Sequence, residues 1–177
     1  KGLTLLGLRS VDTVFGGTGS GAGDTYQCIT LANAFKDAGY KVNDTVTKMY
    51  SDNLSKVPVA ETTMDKANSM TYYIGEVPQS YYTDEVVASY AAFNDAAILV
   101  FGRQGGEGMD YCTDLKAALD GSTKMDKSVA ETANYEKGQH QLELSAEEKA
   151  LIAHAEENFD KVIVVINSAS VMEIGCL

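Results

Sequence analysis

The stretch NDAAILVFGRQGGEG, residues 94–108, decides the fold of this chain. Its first part, Ala96–Phe101, is an unbroken apolar run of the length of one β-strand. Such a run is typical of a strand in a parallel sheet, because helices then cover the sheet on both faces. The strand leads directly into a glycine-rich turn that carries one carboxylate, at the end where parallel sheets bind ligands.

The same apolar pattern occurs near both ends of the chain, at Leu3–Leu8 and Val162–Ile166. Segments with helical spacing lie between these predicted strands. One helix is predicted to be capped by Asp84, and another by Ser145, with which Glu148 completes a capping box. The alternation predicts an α/β fold: a mostly parallel sheet with helices on both faces, a three-layer α/β sandwich formed as one domain by residues 1–177.

Composition excludes several classes of partner. The chain has 177 residues, of which 45% are hydrophobic, enough for one domain with a real core. It contains 14 lysines and arginines and 25 acidic residues, which gives a formal net charge of -11 at pH 7. Such a surface repels phosphate backbones and anionic lipids, and the apolar runs are too short to span a bilayer. We therefore expect neither nucleic-acid nor membrane partners.

The cysteines and histidines carry no recognisable site pattern. The three cysteines are far apart in the sequence and form no C-x-x-C pair. This pattern indicates a reducing compartment, for which we expect the cytoplasm, or at least the lack of a disulfide framework. The two histidines, His140 and His154, are not spaced for a metal site, so no metal is predicted. The chain also begins and ends close to apolar strand-like runs, from which we expect a fragment of a larger protein.

The first glycine-rich run, GGTGSGAGD, occupies residues 16–24 between the first predicted strand and a helix. Asp24, with Gln27 three residues later, predicts that this helix begins directly after the run. One interpretation is a phosphate or dinucleotide loop, but no lysine followed by serine or threonine is present, and Asp24 would repel an anion. A second is a sugar or polyol site in which Ser20 and backbone groups donate hydrogen bonds. The third is a flexible turn.

The second glycine-rich run follows Ala96–Phe101 and contains Glu107 between glycines. A carboxylate there can reach into a cleft as a general acid or base; the alternative is a solvated acidic loop. Both runs follow strands of one parallel sheet, so Ser20 and Glu107 are predicted to open onto the same edge. Weaker candidates are an Arg9–Asp12 ion pair and a supporting role for Asn167 and Ser168 at the end of the last strand. Four tyrosines could stack on sugar rings or pack on the surface: Tyr72, Tyr73, Tyr81 and Tyr82.

Four segments together resemble the second domain of the family 3 glycoside hydrolases, the β-glucosidase family. They are SVDTVF at 10–15 before the first glycine run, NDAAILVF at 94–101 with Arg103 and GEGMD at 106–110, LELS at 142–145 with Ala150-Leu151, and FDK at 159–161 through NSA at 167–169. The resemblance extends over nearly the whole chain in order. It omits the tyrosine-rich stretch and the interior of the long polar loop from Tyr111 to Glu143.

The resemblance implies a retaining β-glycosidase of the β-glucosidase type that hydrolyses terminal β-linked sugars without a cofactor. Glu107 would be its general acid/base, and Ser20, Gly19 and Gly106 would contact the carbohydrate substrate. An N-terminal (β/α)8 barrel, absent from this chain, would supply an aspartate nucleophile, so the chain alone should be inactive. The alternative is a stand-alone module that binds a small polar ligand or a nucleotide. Self-association through Val162–Leu177 is also expected, since that strand lacks a cover.

Overall fold

A computed structural model describes residues 1–17, 23–54, 75–105, 113–117, 135–175 and 177. Its centre is a sheet of four parallel strands in the order β2-β1-β3-β4. The strands are β1 (Gly2–Leu6), β2 (Lys41–Val42), β3 (Ala96–Arg103) and β4 (Val162–Ser168). The predicted α/β class with a parallel sheet is confirmed.

Helices cover both faces of this sheet. They are α1 (Leu31–Asp37), α2 (Asp44–Asn53), α3 (Asp84–Ser89) and α4 (Ala146–Asn158). Alternate residues of β3 point to opposite faces, so Ile98 and Val100 pack with α1, whereas Leu99 and Phe101 pack with the other three helices. All eight residues of β3 are buried, as expected for the middle of a three-layer sandwich. Among the described residues, no helix is long and apolar enough to cross a membrane.

The helix after the first glycine run begins later than predicted. It starts at Leu31, and the hydroxyl of Thr30 is its cap. The predicted capping box of Asp24 and Gln27 is therefore wrong. Asp24 instead accepts a hydrogen bond from the backbone N–H of Tyr26, at 2.9 Å, in a local turn of the kind that competes with helix formation.

Helix α2 lies in a stretch for which the sequence showed no periodicity. Asn43 caps it through its side-chain oxygen, which accepts from the backbone N–H of Val46. Only Val46 and Tyr50 are buried, so the apolar stripe is too narrow to predict the helix. At α3 the cap is Thr83 rather than Asp84, a shift of one position.

Strand β1 ends at Leu6, two residues earlier than predicted, because Gly7 turns the chain. Its φ is 94°, in the region that favours glycine, and a Cβ there would lie 2.5 Å from the carbonyl oxygen of Val100. The chain then forms a short 3-10 turn at Leu8–Ser10. Strands β3 and β4 run two residues further than predicted, to Arg103 and Ser168.

Strand β4 leaves apolar side chains in solvent. Ile163 and Ile166 are 45% and 38% exposed, and β4 pairs on one side only within the described part of the chain. Three more exposed apolar side chains follow it: Val171, Ile174 and Leu177. An apolar edge of this kind favours pairing with another chain.

We expect this chain to self-associate through β4 at tens of micromolar. Ile163→Lys should shift it to the monomer, because a lysine on an edge strand opposes strand addition. Light scattering measures the mass. Ile29→Lys is the matched control, since Ile29 is also exposed but lies outside the sheet, and it should leave association unchanged. A monomer mass for the unmodified chain would contradict this expectation.

Candidate functional site

The strand order creates a crevice at the carboxyl ends of β1 and β3. From β1 the chain passes to β2 on one side, and it later returns to β3 on the other side. In open α/β sheets, ligands bind at such a switch point, outside the carboxyl ends of the two strands. The glycine-rich run at 16–24 follows β1, and the run at 105–108 follows β3. Both predicted loops therefore leave the two strands that flank the crevice.

The predicted contact residues Gly19, Ser20, Gly106 and Glu107 lie outside the described residues. That Ser20 and Glu107 open onto the same edge stays a prediction. What the structure does describe is how the chain enters each loop. Residues 11–17 lead from β1 into the first run, and Arg103–Gly105 lead from β3 into the second.

The exit of β3 is held by Arg103, whose side chain is 2% exposed. Its guanidinium forms a two-point ion pair with Glu148 of α4, Nη1 to Oε1 and Nη2 to Oε2, both at 2.8 Å. Three backbone carbonyls accept its remaining N–H groups: Gln141 and Glu143, each at 2.6 Å, and Gly102, at 2.9 Å. All five N–H donors of the guanidinium are thus used. Arg103 fixes the base of the loop that contains Glu107.

The same ion pair continues into the start of α4. One carboxylate oxygen of Glu148, Oε2, also accepts from the backbone N–H of Ser145 at 2.8 Å, and the Ser145 hydroxyl accepts from the N–H of Glu148. This is the capping box predicted from the sequence, and it is confirmed. Glu148 therefore both caps the start of α4 and neutralises the buried Arg103 at the end of β3.

The exit of β1 is held by Asn167, near the end of β4. Its Oδ1 accepts from the backbone N–H of Val14 at 2.7 Å, and its Nδ2 donates to the Val14 carbonyl at 3.0 Å. The predicted ion pair of Arg9 and Asp12 is present and tightens the turn just before this contact. Asn167 thus anchors the segment that enters the first glycine run. The support of a ligand site predicted for Asn167 and Ser168 stays a prediction.

A buried carboxyl group lies under the end of β1. Oε2 of Glu76 accepts from the backbone N–H of Leu8, and Oε1 accepts from the N–H of Val77, both at 2.8 Å. Beside it, the hydroxyl of Tyr50 accepts from the N–H of Gly7 at 2.7 Å. Sequence reasoning missed both residues, because neither occupies a recognisable motif. Together they satisfy the backbone where β1 turns toward the crevice.

Burial raises the pKa of Glu76 to about 8, although its two N–H donors act in the opposite direction. The folded protein therefore binds a proton on Glu76 between about pH 4.5 and 8, where the unfolded chain has already lost it. Since the unfolded state binds fewer protons there, the stability contributed by this group is lost as the pH rises through that range.

We expect Glu76→Gln to flatten the pH dependence of the free energy of unfolding between pH 5 and 8. The wild-type slope from this group is at most about 1.4 kcal/mol per pH unit, downward with rising pH. His154, whose pKa is lowered by burial, acts in the opposite direction in both proteins, so the difference between them isolates Glu76. Urea unfolding at several pH values measures it. Glu85→Gln, at an exposed site, should keep the wild-type slope; an unchanged slope in Glu76→Gln would refute the assignment.

Of the four tyrosines predicted to contact sugars or to pack, the two that the structure describes have packing roles. The ring of Tyr82 is buried and stacks on His154 at 4.4 Å between centroids, and its hydroxyl lies 2.6 Å from that of Tyr50. Tyr81 packs against the same core. A sugar-stacking role is therefore wrong for Tyr82. Tyr72 and Tyr73 lie outside the described residues.

Three side chains with metal-ligating atoms meet beside the end of β4. They are His140, Glu143 and Glu173, and the ligand atoms that they offer lie within 4.8 Å of one another. No metal site was predicted from the sequence, because the spacing of the two histidines does not indicate one. The segments that contain these residues are joined by α4 and β4, so only the folded chain brings the three together.

The geometry defines an α/β sandwich with a topological switch point between β1 and β3. Solved structures of β-glucosidases share this architecture. β-Glucosidase 3B from Thermotoga neapolitana in complex with α-D-glucose is 26% identical, with a TM-score of 0.62 over 97% of this chain and 21% of that one. The same enzyme in complex with glycerol is 25% identical, with a TM-score of 0.64 over 98% of this chain and 21% of that one.

A β-glucosidase from Paenibacillus barengoltzii, at 22% identity, shares the fold with a TM-score of 0.65 over 97% of this chain and 16% of that one. No family model matches this chain, and no curated protein matches its sequence. The chain thus spans about a fifth of the length of the Thermotoga structures that it resembles. The resemblance to family 3 glycoside hydrolases predicted from the sequence is confirmed by structural similarity.

Proposed function

We propose that this chain is one domain of a retaining β-glycosidase that hydrolyses terminal β-linked sugars, of the β-glucosidase type. Glu107 is its general acid/base, and Ser20, Gly19 and Gly106 contact the sugar. One observation carries the proposal. The two glycine-rich loops follow the strands that flank the switch-point crevice, in a fold similar to that of a β-glucosidase solved with glucose.

Retaining hydrolysis needs two carboxyl groups roughly 5 Å apart, on either side of the scissile bond. Glu107 protonates the leaving-group oxygen, then removes a proton from the water that releases the sugar. The second carboxylate attacks the sugar and forms the covalent intermediate. In this proposal it is an aspartate of a (β/α)8 barrel, the partner domain that lies outside this chain.

Precise placement of Glu107 depends on the start of its loop, because a small displacement of a catalytic group costs much of the rate. Arg103 supports this placement. Four of its five hydrogen bonds tie the end of β3 to α4 and to the carbonyls of residues 141 and 143. The loop therefore begins at a rigid point, and Arg103 acts as a positioning residue.

The loop after β1 supplies the sugar contacts. Its glycines let backbone N–H groups approach a ligand, and the Ser20 hydroxyl can both donate and accept hydrogen bonds with sugar hydroxyls. Asn167 supports this role, because it anchors Val14 just before the loop and thereby ties the exit of β1 to that of β4. No step requires a cofactor.

The alternative, a module that binds a nucleotide, is disfavoured by the start of α1. A phosphate loop places the free N–H groups of a helix directly after its glycines. Here the helix begins only at Leu31, and Asp24 lies between. The net charge of -11 also opposes an anionic ligand.

The test of the proposed function is an assay with aryl β-glucosides. We expect hydrolysis by the protein that joins this domain to its barrel, and none by this chain alone, because the chain holds only one of the two carboxyl groups. Aryl β-xylosides and N-acetylglucosaminides, assayed in parallel, define the sugar. Hydrolysis by the isolated chain that is abolished by Glu107→Ala would overturn the division of roles, and an inactive joined protein would overturn the function.

A further inference from the structure

The cluster of His140, Glu143 and Glu173 joins two segments at the carboxyl end of the sheet. His140 and Glu143 precede α4, and Glu173 follows β4. The ring nitrogen Nε2 of His140 lies 3.4 Å from Oε1 of Glu143 and 3.2 Å from Oε1 of Glu173. One nitrogen therefore faces two carboxylates.

The backbone holds this cluster in place. Glu143 and Glu173 form a parallel β-bridge, and the N–H of Glu173 donates to the carbonyl of Leu142 at 2.9 Å. The backbone N–H of His140 donates to Oε1 of Glu143 at 3.2 Å, and the carbonyl of Glu143 accepts from buried Arg103. The three side chains thus project from segments whose separation is already fixed.

The charges of the cluster do not balance without a further cation. A proton on Nε2 serves the two carboxylates together, and the three groups keep a net negative charge whether the ring is neutral or protonated.

The donor set selects the class of cation. Calcium and magnesium take oxygen ligands, whereas an imidazole nitrogen with carboxylates suits zinc and similar ions. Zinc bonds of this kind in a tetrahedral site place neighbouring donors roughly 3.3–3.6 Å apart. The two separations from Nε2, 3.4 and 3.2 Å, are close to that range. The Glu173 side chain is 64% exposed, so it is free to adjust, and water completes the site.

We propose that His140, Glu143 and Glu173 bind one divalent cation of the zinc class. The cation links the segment before α4 to the segment after β4. Its role is structural: it neutralises the two carboxylates and holds residues 169–175 against the segment that Arg103 also contacts. The proposal is independent of the glycosidase function, because none of the three residues takes part in that chemistry.

The test is a calorimetric titration of the chain with zinc chloride. All three cysteines are replaced by serine in every sample, because exposed Cys28 would otherwise bind zinc. We expect one ion per chain. His140→Gln and Glu173→Gln should each weaken binding by roughly tenfold or more, since even outer-shell changes cost that much. Calcium chloride should not bind.

Two matched controls separate this site from weak surface binding. Glu156→Gln removes an exposed carboxylate of α4, and His154→Gln removes the other histidine; both should keep the full affinity. Zinc should raise Tm in the cysteine-free chain and in both controls, and not in the two site variants. If the His140→Gln variant fails to fold, the zinc affinity of the Glu173→Gln variant, which is changed at an exposed position, tests the proposal. Absence of saturable zinc binding, or equal affinity in all variants, would overturn the proposal.

Discussion

Glu148→Gln should lower the free energy of unfolding by about 3–5 kcal/mol, the usual cost of leaving one member of a buried ion pair without its partner. The change is isosteric, but it leaves the charge of Arg103, which is 2% exposed, without a counterion. The new amide group would also point its N–H toward the guanidinium or toward the N–H of Ser145, where a carboxylate oxygen now accepts. The total free energy of unfolding of a domain is about 5–15 kcal/mol, so this loss is large.

Urea unfolding at 25 °C measures this effect. The control is Glu156→Gln on the exposed side of the same helix, which should change stability by less than about 0.5 kcal/mol. A Glu148→Gln protein as stable as the wild type would show that the pair is not essential to the fold.

Glu107→Ala, in the protein that joins this domain to its barrel, should slow hydrolysis of glycosides with poor leaving groups roughly 10²–10⁴-fold. Those substrates need protonation of the departing oxygen, which the variant cannot supply. Activated aryl glycosides should lose less in the first step, because their leaving groups depart without a proton. Release of the covalent intermediate should then limit the rate, since no base activates water.

Sodium azide separates this role from simple damage to the site. Azide attacks the covalent intermediate without a general base, so it should restore turnover of activated substrates and yield a glycosyl azide. Steady-state rates with substrates of graded leaving-group pKa, with and without azide, measure both effects. Glu156→Ala, far along α4, should behave as the wild type. An equal loss on all substrates without azide rescue would assign Glu107 a different role.

The structure that was predictable from the sequence is the part in which local pattern and tertiary environment agree. Ala96–Phe101 is apolar at every position, and it lies in the centre of the sheet, where both faces are covered. The capping box of Ser145 and Glu148 was predictable for a similar reason, because its two hydrogen bonds join residues three apart.

Elements with little burial were not predictable. Helix α2 buries only Val46 and Tyr50, so its sequence carries almost no periodic signal. Strand β2 lies in the stretch Lys41–Val46, for which the sequence indicates either a weak strand or a connector. It has two residues and is positioned by its pairing with β1, as Leu3 lies opposite Val42. The start of α1 was placed too early because Asp24 caps a turn as readily as a helix.

Sequence alone determined the α/β class, the three longer strands and the two glycine-rich runs, because periodicity and turn chemistry depend on residues close together in the chain. The tertiary structure decided which distant groups meet: Arg103 with Glu148, Asn167 with Val14, and Glu76 with the end of β1. These contacts join residues 45 to 153 positions apart. Parallel strands require long crossovers, so neighbours at the edge of the sheet are remote in sequence. Which of these groups meet follows from the strand order, and no local sequence pattern predicts that order.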